Sequence, residues 1–256
     1  RPWEGHGRLT EAEGGWSKVV APSALPFSEN YPMPLELTHD GIREVIDAFA
    51  ASARRAWDAG IRVIELHAAH GYLIHEFLSP LSNQRDDEYG GSFDNRTRLL
   101  REVIAAVRKV WPARAPLFVR ISSTDWVDGG WDIEQSIELA RVMKTMGVDL
   151  IDCSSGGNVA QVKIPLGPGY QTPFAERIRR EAGILTGAVG MITSPLQAQH
   201  IVTTGQADAV IMARELLRDP YWPLRAAREL NQPITWPAQY LRAGPQGAHA
   251  RTAADL

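Results

Sequence analysis

Short apolar, β-branched runs alternate with amphipathic stripes from about Thr38 onward, and that order constrains the fold more than any other feature of the chain. The segment from Thr38 to Gly60 sets Ile42, Val45, Ile46, Phe49, Ala53 and Trp57 at spacings of three and four, which predicts a helix. Thr38 is its N-cap and Gly60 its stop. The run "IRVIELH" then reads as a strand. Asn95 to Val110 repeats the helical stripe, and Pro116–Ser122 is a second strand. Helix Ile133–Met146, strand Val148–Ser155, helix Phe174–Ala182 and strand Ile184–Gly190 continue the pattern. Ser194 is read as a cap with Pro195 at the first helical position, where a missing N–H costs nothing. Ala207–Glu215 is a fifth strand, followed by short helices around Leu216 and Leu224.

Strict alternation implies parallel pairing, because parallel strands need crossover connections. An open doubly wound sheet and a (β/α)8 barrel both satisfy it. No G-x-G-x-x-G follows any strand, which weakens the dinucleotide-binding open sheet. The expectation is therefore an α/β (β/α)8 TIM barrel of which this chain supplies about units four to eight. Only five strands are legible, and the chain opens on polar, Gly-rich loop material, so further units are expected upstream. The 256 residues are read as one incomplete barrel domain: a lead-in over 1–37, βα units over 38–230 and a tail over 231–256.

Composition removes several function classes. A net charge of -3 gives no electrostatic case for nucleic acid or an anionic membrane, and no apolar run approaches a membrane span. The one cysteine, Cys153, excludes an internal disulfide framework and reads as a small buried hydrophobe. A cytoplasmic protein is the default expectation.

Three of the seven histidines, His67, His70 and His75, fall within "ELHAAHGYLIHEFLSP". His67 closes a strand, and barrel chemistry collects at C-terminal strand ends. A metal site needs a third protein ligand, which the spacing does not supply. Ordinary hydrogen bonding of both rings to nearby backbone is the bland alternative. Two imidazole N–H groups off one strand end can instead converge on a carbonyl oxygen and stabilise charge developing there. Tyr72, after the turn permitted by Gly71, is placed to supply a proton.

In "PLFVRIS", alternation puts Leu117, Val119 and Ile121 on the helix side and Phe118, Arg120 and Ser122 in the barrel interior. An interior guanidinium needs an acceptor: Glu65, of matching strand parity, or an anionic cofactor atom. Phosphate sites in barrels form after the last two strands. Here those positions carry Val189–Gly190 and Ala213–Arg214, small residues that admit a phosphate and an arginine that can bind it. The alternative is that Gly190 only turns the chain and Arg214 pairs with Glu215 or Asp219.

The stretch "ELHAAHGYLIHEFLSPLSNQRDDEYGGSFDNRTRLLREVIAAVR" closely resembles the Old Yellow Enzyme family of FMN-dependent ene-reductases, in its bacterial thermophilic-like or xenobiotic-reductase branch. "VVAPSALPF", "LFVRIS", "GAVGMITS" and "RELLRDPYWPLRAARELN" are similar to that family too. The resemblance implies a barrel carrying FMN, reduced by NAD(P)H, that passes hydride to the β-carbon of an activated alkene. It implies that His67 and His70 hold the substrate carbonyl, that Tyr72 is associated with protonation and that Arg120 lies at the flavin's pyrimidine edge. It assigns the FMN phosphate to Ala213 and Arg214 with the loop at Val189 and Gly190. Arg242, in "QYLRAG", matches an arginine that reaches substrate in a neighbouring subunit, which implies a homo-oligomer. The family commonly has Gly-Arg where this chain has Ala213–Arg214. The resemblance further implies that the first three βα units are absent. The alternative function is then a noncatalytic barrel fragment that assembles with a complementary segment in trans.

Overall fold

The computed structural model describes residues 9–16, 18–29 and 31–250. After a 3₁₀ turn at Glu11–Glu13, a two-stranded parallel ribbon pairs β1 (Val20–Ala21) with β2 (Leu35–Glu36). Helix α1 (His39–Asp58) begins where Thr38 Oγ1 accepts from the Gly41 N–H at 3.1 Å. It ends at Ala59, and Gly60 follows with φ +90°. The parallel sheet then runs β3 (Ile64–Ala68), β4 (Leu117–Ser122), β5 (Leu150–Ser154), β6 (Leu185–Val189) and β7 (Ala209–Ile211), paired in that order. The connections are α2 (Leu73–Leu78), α3 (Phe93–Val110), α4 (Ile133–Thr145), α5 (Thr172–Ala182) and α6 (Pro195–Thr203). Helices α7 (Arg214–Arg218) and α8 (Trp222–Glu229) follow the last strand.

Strand order that follows chain order is barrel order; a doubly wound sheet would reverse direction part-way. Among the described residues the sheet is an open arc of five strands with β3 and β7 at its edges. Its convex side is the core. Leu117, Val119 and Ile121 are fully buried beneath the helices, as the alternation required. Leu99, Leu100, Val103, Ile104 and Val107 supply the α3 stripe, also fully buried. Helix α1 packs against α3, with Trp57 and Trp111 edge to face at 5.4 Å. The concave side is polar along one row. In register across the arc lie His67, Arg120, Asp152 and Gly187.

Several boundaries differ from the sequence reading. The fifth strand is three residues, not nine; Ala213 leaves the sheet to become the N-cap of α7, so Arg214 sits on a helix. Ser194 occupies the cap position of α6, but its hydroxyl makes no capping bond and Pro195 begins the helix without it. Helix α2 was not legible. Its six residues lack a full amphipathic repeat, and it is held by tertiary contacts, with Ile74, Phe77 and Leu78 all buried. Among the described residues no helix is long and apolar enough to cross a membrane.

Candidate active site

The strand ends open on a cleft of about 780 Å³ lined by His70, Arg120, Ser154, Gly190, Ala213 and Arg214 among others. That size suits a drug-sized ligand or nucleotide cofactor. His67 and Tyr72 flank it. The His67 ring lies 5.1 Å from the His70 ring and 5.2 Å from the Tyr72 ring, centre to centre. Tyr72 is 64% exposed, on the solvent side of the cluster. The strand end and the loop that follows it therefore bring the three residues together, as the sequence reading required.

The loop is held from two sides. His70 has φ +62°, and its N–H donates to Ser122 Oγ at 2.9 Å. Gly71, at φ +71°, lies so close to the β5 loop that a Cβ would meet Gly157 O at 2.1 Å. Only glycine fits there, because both the dihedral and the contact exclude a side chain. The Gly71 N–H donates to His75 Nδ1 at 2.9 Å. His75, the third histidine of the cluster, is buried and turned away from the cleft toward Asp125.

Both cleft imidazoles are held neutral. Burial pushes His70 down to about 4, helped by the charges of Arg120, His67 and His75. His67 is lowered too, by burial first and then by the charges of Arg120 and His75. A neutral imidazole carries one N–H donor and binds no proton competitively, which suits a carbonyl-binding role. The described residues add no third ligand to His67 and His70; the group of metal-type side chains that does come together is His39, Asp87 and Glu88.

Arg120 points into the concave row as expected, but its partner is Asp152 rather than Glu65. Arg120 Nε lies 3.1 Å from Asp152 Oδ2, across in-register β4 and β5. Burial pushes the Asp152 carboxyl up to about 7 against the pull of Arg120. Glu65, on the edge strand, is also raised by burial. Neither Arg120 Nε nor either Asp152 oxygen completes a hydrogen bond of good geometry. Strand parity puts Asp152 on the same face as Arg120, but only the register of β4 with β5 sets the two side by side.

At the far end, Gly190 has φ +120°, and a Cβ there would meet the side chains of Gln171 and Tyr170 at 2.9 Å. Arg214 is exposed and has no acidic partner among the described residues. The alternative pairing does not occur, because Glu215 binds Arg218 at 2.8 Å and Asp219 binds Arg225 at 2.8 Å. Arg242 lies outside this cleft, exposed on a 3₁₀ turn at Ala238–Ala243.

An unpaired arginine over small residues at one end and a half-satisfied arginine–carboxylate pair in the floor fit a flat phosphorylated redox cofactor such as FMN. The model of the NADH:flavin oxidoreductase / NADH oxidase family matches residues 7–233. The chain belongs to this family of FMN-dependent NAD(P)H oxidoreductases. The flavin oxidoreductase is 56% identical over 236 residues to an NADPH dehydrogenase of Geobacillus sp. (strain WCH70), spanning 92% of this chain and 68% of that protein. It is 52% identical to the NADPH dehydrogenase of Bacillus subtilis (strain 168), again over 92% and 68%. Among solved structures, a 2-naphthoyl-CoA reductase in complex with 2-naphthoyl-CoA superposes with TM-score 0.77 at 29% identity, over 84% of this chain and 33% of that one. Morphinone reductase in complex with tetrahydroNAD gives TM-score 0.69 at 26% identity, over 85% and 62%. The chain thus spans about two thirds of the curated relatives and a smaller share of the solved structures.

Proposed function

We propose that this flavin oxidoreductase reduces carbon–carbon double bonds activated by a carbonyl or nitro group, or quinones, with NAD(P)H as reductant. The observation that carries the reading is the neutral His67–His70 pair beside Tyr72 at the mouth of a cleft floored by Arg120. FMN, when bound, supplies the hydride.

Every other task falls to side chains of this chain. The N–H groups of His67 and His70 hold the substrate oxygen and stabilise the negative charge that grows on it, a contribution of about 3 kcal/mol per donor in comparable oxyanion sites. The Tyr72 phenol delivers a proton to the α-carbon from the solvent side. Arg120 offers positive charge beneath the reacting centre, and Asp152 fixes its direction. Arg214 binds the cofactor phosphate, with the Val189–Gly190 and Ala213 backbone close by. Arg242, exposed and outside the cleft, serves a neighbouring copy of the chain in a homo-oligomer.

The test is spectroscopic. The chain incubated with FMN should retain it through gel filtration, be bleached by NADPH without oxygen and regain colour on adding a cyclic enone. His67→Ala should slow the recolouring step at least tenfold. A chain that binds no FMN, or whose reduced flavin ignores enones, nitroalkenes and quinones alike, would sink the proposal and favour a fragment that works only with a complementary segment.

A further inference from the structure

Ser154 ends β5, and its hydroxyl oxygen lies 2.6 Å from His70 Nε2. A ring carbon at that distance would overlap the oxygen, so the ring is oriented with nitrogen toward Ser154 and one proton lies between them. Either Nε2–H donates to the hydroxyl, or the hydroxyl donates to Nε2. The surroundings of the hydroxyl discriminate between the two. The other acceptor within its reach is Gln171 Oε1, at 3.4 Å. That oxygen already accepts from Ser155 Oγ at 2.6 Å. The Gln171 amide is fixed in that orientation, because its Nε2 donates to Val189 O at 2.9 Å, so its oxygen stays at the longer distance from Ser154. Of the two partners within reach of the Ser154 hydroxyl, His70 Nε2 at 2.6 Å is much nearer than Gln171 Oε1 at 3.4 Å. The best acceptor for the hydroxyl is the imidazole nitrogen. Burial keeps the ring neutral, so a proton absent from Nε2 must sit on Nδ1. Among the described residues Nδ1 has no hydrogen-bond partner.

We propose that Ser154 is a positioning residue that fixes His70 as the Nδ1–H tautomer, making Nδ1–H the donor presented to the substrate oxygen. The inference rests on the ene-reduction reading for its consequence, though not for its geometry. The same loop also holds the backbone that carries the ring. Ser122 Oγ accepts from the His70 N–H and donates to Gly156 O at 2.7 Å, and Gly71 is in contact with Gly157. With backbone and Nε2 both fixed by the ends of β4 and β5, the one free edge of the ring is the Nδ1 side. Without the serine hydroxyl, a neutral ring is free to populate both tautomers, and the fraction with the proton on Nε2 offers the substrate a lone pair instead of a donor.

The experiment reads the tautomer directly. Long-range ¹H–¹⁵N correlation spectra are recorded at pH 7 on the FMN-loaded protein labelled with ¹⁵N-histidine, the His70 signals being assigned by their loss in His70→Gln. The expected pattern is Nδ1–H for His70 in the parent chain, a mixture or Nε2–H in Ser154→Ala, and Nδ1–H again in Ser154→Thr, which keeps the hydroxyl. Ser154→Ala should also raise KM for a cyclic enone about five- to tenfold, the usual size of one hydrogen bond, and Ser154→Thr should recover most of it. Nε2–H in the parent chain, or the same tautomer in the parent and in Ser154→Ala, overturns the proposal. A serine-dependent Nδ1–H signal in a protein that does not reduce enones supports the tautomer assignment while overturning the proposed reaction, so the two failures are distinguishable.

Discussion

His75 Nε2 and Asp125 Oδ1 face each other at 3.2 Å with neither side chain exposed to solvent. The pair is remote in sequence yet controls the loop that carries His70 and Tyr72, since the other ring nitrogen of His75 accepts from the Gly71 N–H. His75→Leu removes an acceptor from Gly71 and leaves a buried carboxylate one partner short. Leaving a buried polar group short of one hydrogen bond costs roughly 1–3 kcal/mol. Urea unfolding should show a loss of about that size, accompanied by faster amide exchange at Gly71. A loss below 1 kcal/mol with unchanged exchange would mean that the loop is held by its glycine contact and serines alone.

Asp125 carries a pH signature of its own. Burial pushes its carboxyl up, but His75, the Ser79 hydroxyl and the Trp131 N–H together outweigh burial and hold it below the ordinary value of 3.8. A depressed carboxylate contributes stability that is present above the unfolded value and lost as pH falls through the folded one. Unfolding free energy measured from pH 6 downward should therefore drop below about pH 4 in the parent chain. Asp125→Asn, less stable at neutral pH, should approach the parent as acidity increases. Parallel profiles would show that Asp125 does not couple proton binding to folding.

Asp152 has the opposite sign. Its folded value is pushed up to about 7 from 3.8, because burial outweighs Arg120. For a raised carboxyl the contribution is fully present below the unfolded value and is lost as pH rises through the folded one. Stability should fall between about pH 4 and pH 7, by on the order of 4 kcal/mol if the whole shift is expressed. Asp152→Asn cannot ionise and should flatten that slope, which chemical denaturation at four or five pH values would resolve. A parent profile as flat as that of the variant would mean that Asp152 is ionised against Arg120 throughout.

The sequence made one half of the site readable and hid the other for a physical reason. Period-two alternation fixes which face a strand residue takes, so Arg120 was assigned correctly to the interior beside Phe118 and Ser122. The helix-side burial of Leu117, Val119 and Ile121 followed from the same rule. Register between strands is another matter. Which residue of β5 lies opposite Arg120 depends on the length and path of α4 and its loops, so the sequence offers Glu65 or a cofactor atom as acceptor, and the structure adds Asp152. The supports of His70 were equally hidden: Ser122 and Ser154 end β4 and β5, Gln171 caps α5, and the three meet only in the folded arc. Short elements fail for lack of signal. Helix α2 has six residues, and the predicted end of the fifth strand became the start of α7 at Arg214.

That last difference bears on the cofactor. Arg214 sits beside acidic residues that the sequence offered as its partners, yet the structure gives them to others. Arg218 and Arg225 take Glu215, and Arg225 takes Asp219. Arg214 thus lines the cleft with no carboxylate to neutralise it among the described residues, next to Ala213 and across from Gly190. A cation placed so contributes little to folding, because an exposed side chain without partners changes stability by about 0.5 kcal/mol or less when truncated. Its contribution should appear on binding a phosphate dianion, where a charge-assisted contact is worth roughly 1.5–3 kcal/mol, or about a ten- to hundredfold change in affinity. Arg214→Ala should therefore weaken FMN binding by that factor in fluorescence titration, while affinity for riboflavin, which lacks the phosphate, stays the same and cofactor-free unfolding is unaltered. Equal weakening for both flavins would place Arg214 against the ring or the ribityl chain, and unchanged affinity for FMN would move the phosphate site elsewhere in the cleft.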